Sequence, residues 1–185
     1  LQTDSIHSCY VLTTEVFDGL KTTVELGERI GMILGGKGSA RPQIIDVIVE
    51  EHFDTEGGKN AISLYVCRVR PTTEFWKFII DHLDSRYVLF EFKNYAGKIK
   101  QGQILTTEKY LLERGLRRVA IIMTRVGAED HAVAMTQGAM REHGKLMLIL
   151  NDEKVCEMLH MKERGEDPTD CLFEIADDFL LKLPR

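Results

Sequence analysis

The chain lacks several features that would place it in a common functional class. Its 185 residues include four cysteines, four prolines and one tryptophan, and no apolar run approaches the roughly 20 residues that span a bilayer. No two cysteines form a C-x-x-C pair, so neither a zinc site nor a disulfide framework is indicated, and reduced thiols are expected. The opening LQTDSIHSCY has neither a basic segment nor a long apolar stretch, so no signal peptide is predicted. We therefore expect a soluble, cytoplasmic protein without membrane association.

Nucleotide-binding and serine-hydrolase motifs are also missing. The sequence has no G-x-x-x-x-G-K-[ST], no G-x-G-x-x-G after a strand and no G-x-S-x-G, which are the short motifs of phosphate loops, dinucleotide folds and nucleophile elbows. The segment LGGKGSA lacks both the preceding strand and the full spacing of a phosphate loop, and we interpret it as a turn. The histidines share no metal-ligand or HNH spacing.

Size and composition predict one globular domain. The chain is 44% hydrophobic and 29% charged, which is ordinary for a folded domain of this length. It starts with Leu1 rather than Met, and we expect it to be part of a larger protein. We predict a single domain over residues 1–185, with a core at about 20–150 and C-terminal helices at 151–185.

Charge is distributed unevenly along the chain. The net charge is −5, yet the window from Lys93 to Lys145 has ten basic and five acidic residues and is therefore +5. A basic surface beside an acidic body suits contacts to a nucleic-acid backbone. Solvated helix faces rich in lysine and arginine explain the same pattern equally well, so charge alone leaves both readings open.

Hydrophobic periodicity predicts a mixed α/β fold. Short β-branched or alternating segments predict strands in QIIDVIVEEHF, AISLYVCRVR, RYVLFEFK, RRVAIIMTR and KLMLIL. Apolar residues at helical spacing predict a first helix around Val24 to Ile33, an inserted helix in PTTEFWKFIIDHLDS, a helix from Lys100 to Gly115, a helix in AEDHAVAMTQGAMREHG and two C-terminal helices. This order predicts a mixed central sheet of about five strands flanked by helices.

Individual residues indicate where these helices begin, end and pack. Thr72 or Thr73, Asn151 or Asp152, and Thr169 are candidate N-caps, and Gly115 is a candidate C-cap. The apolar side of the inserted helix, with Phe75 and Trp76, fits core packing better than a dimer interface.

One buried strand carries two charges. Because side chains alternate along a strand, Val88, Phe90 and Phe92 share one apolar face of YVLFEFK, and Leu89, Glu91 and Lys93 share the other. Two charges on a buried face are costly unless they pair with each other or meet a metal ion.

Phosphodiester cleavage uses both groups. A carboxylate oxygen is the ligand type that Mg²⁺ prefers; the metal polarises the phosphate and activates a water, and a nearby ammonium offsets the charge that develops. Any single E-x-K is more often a plain ion pair. Here the context favours the chemical role, because the motif lies in a strongly apolar strand and is followed by Asn94-Tyr95, a loop, a helix and another buried strand.

With these residues, LFEFKNY resembles the E-x-K core of the PD-(D/E)XK nuclease superfamily, and its E-F-K-N-Y form is similar to Mrr-type, restriction-endonuclease-like domains. The resemblance covers about residues 20–150. It implies a restriction-endonuclease-like core of order αβββαβ, with the 71–85 helix as an insertion and the C-terminal helices as additions.

The resemblance implies roles for particular residues. Glu91 would be a metal ligand and Lys93 the catalytic lysine, with the backbone carbonyl of Phe92 as a further metal ligand and Glu28 of the first helix as a weak one. The metal would be Mg²⁺, with Mn²⁺ as a substitute. Such families place a polar residue of the following helix near the site, often in Q-x-x-x-Y.

Here Tyr110 is present but the matching position is Thr106, and Gln103 lies nearby out of register. We therefore name Gln103 as the catalytic neighbour, and interpret Tyr110 as a core aromatic.

A carboxylate that the family pattern requires is missing from the preceding strand. Since Ile62, Leu64 and Val66 form the apolar face of AISLYV, the ligand is expected at Ala61 or Ser63, and neither side chain replaces a carboxylate. Two explanations stay open for Ala61: an aspartate was substituted to inactivate the protein, or the natural chain lost this ligand. We prefer the first.

The resemblance implies a Mg²⁺-dependent deoxyribonuclease, endo- or exonucleolytic, in restriction, defence or repair. Its partner would be DNA, with RNA left open, and it would act as a homodimer or as a module of a larger protein. The alternative is a non-catalytic nucleic-acid-binding or assembly module with a degenerate nuclease fold. Candidate nucleic-acid contacts are Lys59, Asn94, Lys98, Lys100, Lys109 and Arg125.

Overall fold

The computed structural model describes residues 47–52, 62–93 and 95–184. The predicted first helix, the glycine-rich loops before β1 and β2, and the residues Glu28, Lys59, Ala61 and Asn94 lie outside these ranges.

A single mixed sheet forms the centre of the described fold, and the predicted mixed α/β class is confirmed. Its strands lie side by side in chain order: β1 (Val47–His52), β2 (Ile62–Arg68), β3 (Tyr87–Lys93), β4 (Val119–Thr124) and β5 (Leu146–Leu150). β1, β2 and β3 pair antiparallel, whereas β3, β4 and β5 pair parallel. The carboxyl ends of β3, β4 and β5 therefore meet at one edge of the sheet, where α/β proteins usually bind their ligands.

Five α-helices cover the sheet in the described part of the chain. They are α1 (Glu74–Leu83), α2 (Gln101–Lys109), α3 (Asp130–His143), α4 (Asp152–Glu163) and α5 (Pro168–Leu181), with a 3₁₀ turn at Glu113–Gly115. α2 and α3 connect parallel strands and pack on one face with Leu89, Ala120 and Ile122. α1, α4 and α5 pack on the other face, against Val88, Phe90 and Phe92. The result is three layers with an apolar core on each side of the sheet.

The strand alternation predicted for YVLFEFK is confirmed. Val88, Phe90 and Phe92 lie in the core under α1, α4 and α5, and Leu89 lies in the core under α2 and α3. Phe75 and Trp76 are buried as predicted, with their rings 4.9 Å apart in an edge-to-face arrangement. The inserted helix α1 is thus a core helix.

Helix ends agree with the sequence at some positions and differ at others. Asn151 caps α4 by accepting a hydrogen bond from the Lys154 N–H at 3.0 Å. The N-cap of α5 is Asp167 rather than Thr169, because Pro168 occupies the first helical position and the Asp167 carboxylate accepts the Thr169 N–H. Thr73 is the N-cap residue of α1, but its side chain makes no cap hydrogen bond to that helix and meets the Thr169 hydroxyl instead.

The helix predicted to run to Gly115 ends earlier, at Lys109. The Tyr110 N–H turns back to the Thr107 carbonyl, and the Arg117 side chain donates to the Tyr110 carbonyl at 2.6 Å, which satisfies a terminal acceptor. The chain then enters the 3₁₀ turn, and the residue with positive φ is Leu116 (52°) rather than Gly115. No helix of the described residues has the length and apolarity to cross a membrane.

Candidate functional site

The two charged residues of β3 are both enclosed by protein. Glu91 is 0% exposed and Lys93 is 3% exposed. They belong to the α2–α3 face of the sheet, and the strand neighbours of Glu91 are Leu64 of β2 and Ile122 of β4. A carboxylate is therefore held between apolar strand positions, which is unfavourable unless specific partners compensate for its lost hydration.

Two groups contact the Glu91 carboxylate. The Lys93 ammonium lies 2.5 Å from Oε1, and the Thr107 hydroxyl of α2 donates to Oε2. The Lys93 contact is an ion pair, and Oε1 accepts no further hydrogen bond from the described residues. Glu91 thus has one oxygen fixed by the Thr107 hydroxyl and one paired with the Lys93 ammonium.

Thr107 is the site residue that sequence reasoning missed. Its hydroxyl is fully buried and also lies 2.9 Å from the Gln103 carbonyl, one helical turn earlier. Thr106, at the position matching the family pattern, is exposed and donates to the Gly102 carbonyl. A signal existed in the i, i+4 spacing of Gln103 and Thr107, which places both on one face of α2.

The Gln103 side chain has a local partner at the start of α2. Its Oε1 accepts the Lys100 N–H at 2.9 Å, so the amide caps the helix. Gln103 is half-buried and lies one turn from Thr107. Its role as a catalytic neighbour stays a prediction.

Hydrogen bonds join the ends of the parallel strands beside the ion pair. Thr124 of β4 lies opposite Lys93 in the register and is buried; its hydroxyl donates to the Leu150 carbonyl of β5 and accepts the Gly127 N–H. Gly127 in turn accepts the Ile99 N–H, and the Glu129 N–H donates to the Ile99 carbonyl. The loop after β3 is thereby fixed to the turn after β4, directly beside Lys93.

The predicted nucleic-acid contacts differ in their surroundings. Lys98, Lys100 and Lys109 are exposed and lie in or after the loop that leaves Lys93. Arg125 is half-buried and forms an ion pair with Asp152 at 2.7 Å. The structure thus presents three lysines to solvent on the α2 side, and holds Arg125 at the carboxyl edge of the sheet.

The register of β2 shows which backbone positions lie next to the charged strand. Leu64 lies opposite Glu91, and Ser63 lies opposite Phe92. The strand position next to Glu91 is therefore that of Leu64, and the ligand expected at Ala61 or Ser63 stays a prediction. Val66 packs in the core under α2 and α3, in the same cluster as Leu89 of β3.

The described residues fit a divalent cation at one point. Glu91 Oε1 is a buried hard oxygen without a hydrogen bond, the kind of atom that Mg²⁺ coordinates. No group of three or more His, Cys, Asp or Glu side chains within the described ranges is arranged to hold a metal. Further ligands would come from the Phe92 carbonyl, from residues outside those ranges, from water or from substrate oxygens.

Cysteine chemistry does not enter this site. The described cysteines Cys67, Cys156 and Cys171 are free thiols. Burial raises the pKa of the Cys67 thiol to about 12, which keeps it protonated and a poor nucleophile at neutral pH.

Comparison of the chain with protein families, with curated proteins and with solved structures finds no match. The functional argument therefore rests on the geometry of Glu91, Lys93 and their neighbours.

Proposed function

We propose that this protein is a Mg²⁺-dependent phosphodiester hydrolase acting on DNA, in restriction, defence or repair. One observation carries the proposal: a fully buried carboxylate is paired through Oε1 with a buried ammonium at the carboxyl end of a parallel strand. A buried ion pair contributes little to stability compared with apolar residues of similar volume. A chemical role for the pair explains its position better than a structural one.

The order of the described elements supports the same proposal. The described elements have the order β1, β2, β3, α2 and β4, as in the βββαβ part of a restriction-endonuclease-like core. Helix α1 lies between β2 and β3 as an insertion. The E-x-K pair lies on the third of these strands. The proposed fold family is thus compatible with both the element order and the place of the charged pair.

Each residue has a distinct part in the proposed reaction. Bound Mg²⁺ would polarise the scissile phosphate and lower the pKa of a bound water. Glu91 would hold the ion through Oε1, and Thr107 would fix the carboxylate through Oε2. Lys93 would orient the attacking water or offset the charge developing on the phosphate.

The surface near the site suits a polyanion. Lys98, Lys100 and Lys109 are exposed on the same side as α2, and phosphate contacts from such lysines are independent of sequence. Cutting both strands of a duplex needs two such sites, which we propose come from a homodimer or from a partner module.

Restoring a carboxylate on the strand before β3 tests the hydrolase. Ala61→Asp, at the position that the sequence pattern favours, is incubated with Mg²⁺ and plasmid DNA, and this variant or its companion is expected to cleave. Asn60→Asp is the companion variant, because Leu64 rather than Ser63 lies opposite Glu91. Glu91→Gln in either background is expected to lower cleavage by about a hundredfold or more.

The proposed hydrolase activity is contradicted when the proteins bind DNA but neither the variants nor the parent cleave it. It would favour the second candidate, a nucleic-acid-binding module with a degenerate site. That candidate has one observation of its own, namely that the described residues include no group of three or more His, Cys, Asp or Glu side chains placed to hold a metal.

A further inference from the structure

The Lys93 ammonium occupies the side of Glu91 that a metal ion would approach. It lies 2.5 Å from Oε1, while a coordinated Mg²⁺ would lie at about 2.1 Å from the same atom. Oε2 is already engaged by Thr107. Two cations at such distances from one oxygen would repel each other strongly in a buried site.

We propose that Lys93 is an internal counter-ion, which competes with the divalent metal for Oε1 and is displaced when the metal binds. This inference rests on the proposed function and concerns the regulation of the same site. The site exchanges one cation for another, so the buried carboxylate keeps a partner in both arrangements and the cost of an unpaired buried charge is avoided.

The position of Lys93 suits this exchange. It is the last residue of β3, and its four-carbon side chain has enough rotatable bonds to leave Oε1 without backbone movement. The loop that follows carries the exposed Lys98 and Lys100. In this proposal, the ammonium released from Glu91 becomes free to meet a phosphate, which links metal binding to the assembly of the catalytic lysine.

The first experiment uses the unaltered chain. Lysines are acetylated with acetic anhydride in the presence and absence of Mg²⁺, and the extent of acetylation at each lysine is measured by mass spectrometry. Lys93, at 3% exposure, is expected to be protected without Mg²⁺ and to react severalfold faster with it. The exposed Lys98 and Lys109 serve as internal controls whose rates stay constant.

The second experiment removes the Lys93 ammonium, which is proposed to compete with the metal for Glu91 Oε1. Lys93→Met keeps the side-chain length without the charge. Its affinity for Mn²⁺, measured by calorimetry, is expected to rise about tenfold, because the Glu91 carboxylate no longer has to be released from an ammonium before it binds the metal. Glu91→Gln is the matched control and is expected to lose this binding. Both variants are made in the parent and in Ala61→Asp, and circular dichroism checks that they are folded.

The outcomes separate this inference from the proposed function. Tighter Mn²⁺ binding by Lys93→Met, lost with Glu91→Gln, supports the displacement. The inference is overturned when Mn²⁺ binding depends on Glu91 but Lys93→Met leaves it equal or weakens it. It is also overturned when saturating Mg²⁺ leaves the acetylation of Lys93 unchanged. In both cases the proposed metal site still stands. Absence of Glu91-dependent binding in every variant overturns both.

Discussion

The Glu91 carboxylate depends on a hydroxyl that the sequence pattern did not reveal. Thr107 lies 16 residues further along the chain and reaches Glu91 across the packing of α2 on the sheet. A hydrogen bond to a buried charged group contributes more than one between neutral groups, and leaving that group without its donor costs more still. Thr107 therefore has a measurable effect on the stability of the fold.

Replacing Thr107 by valine removes this hydroxyl at constant shape. Thr107→Val is expected to lower the free energy of unfolding by about 1–3 kcal/mol, because a buried carboxylate oxygen loses its donor. Thr107→Ser retains the hydroxyl and is expected to lose less. The measurement is urea denaturation followed by circular dichroism.

Thr106→Val is the matched control on the same helix. The Thr106 hydroxyl also bonds to a carbonyl four residues earlier, but it is exposed, so the change is expected to stay within about 0.5 kcal/mol. Equal effects of the valine substitutions at 106 and 107 would show that the Glu91 contact adds nothing to stability.

Among the helices, α3 shows how far an element can be derived from local sequence. The helix predicted in AEDHAVAMTQGAMREHG is confirmed, and it is followed by Gly144, which adopts φ of 61° with its N–H bonded to the Met140 carbonyl. Glycine at this position ends a helix because it has no Cβ to clash in the left-handed conformation. The corresponding prediction at Gly115 is wrong: α2 ends at Lys109, and the Arg117 side chain donates to the Tyr110 carbonyl just after that end.

Two glycines, one inside α3 and one directly after it, provide a test in which the same substitution changes stability in opposite directions. Gly144→Ala is expected to destabilise the protein by about 1 kcal/mol, because alanine is strained at positive φ. Gly138→Ala is expected to stabilise it by up to about 1 kcal/mol, because Gly138 lies inside the helix and a Cβ there meets nothing within 4 Å. Thermal unfolding measures both, and a destabilising Gly138→Ala would contradict the helix geometry described here.

Charge is distributed unevenly along the whole chain. The chain is −5 overall, and the window from Lys93 to Lys145, which contains α2 and α3, is +5. Several lysines elsewhere are paired on their own helices, such as Lys77 with Glu74 and Lys182 with Asp178. Attraction to a polyanion is therefore expected on the α2 side.

The salt dependence of DNA binding tests this orientation. Lys98→Gln, Lys100→Gln and Lys109→Gln are each expected to weaken binding and to reduce the slope of log K against log salt by about 1, the effect of losing one phosphate contact. Fluorescence anisotropy with labelled duplex DNA measures the slope. Lys77→Gln, on the opposite side of the sheet, is the control and is expected to leave it unchanged; equal effects of all four substitutions would place DNA elsewhere.

The sequence by itself determined the strands, most helices and the shared face of Glu91 and Lys93, because these follow from local periods of two and 3.6 residues. Tertiary structure decided which residues of other elements meet that face. One residue turns a helix by about 100°, so Thr107 reaches Glu91 whereas Thr106 remains in solvent. One residue of strand register changes the face of the sheet, so Leu64 rather than Ser63 lies beside Glu91. Both choices depend on packing between segments distant in the chain, which no local pattern encodes.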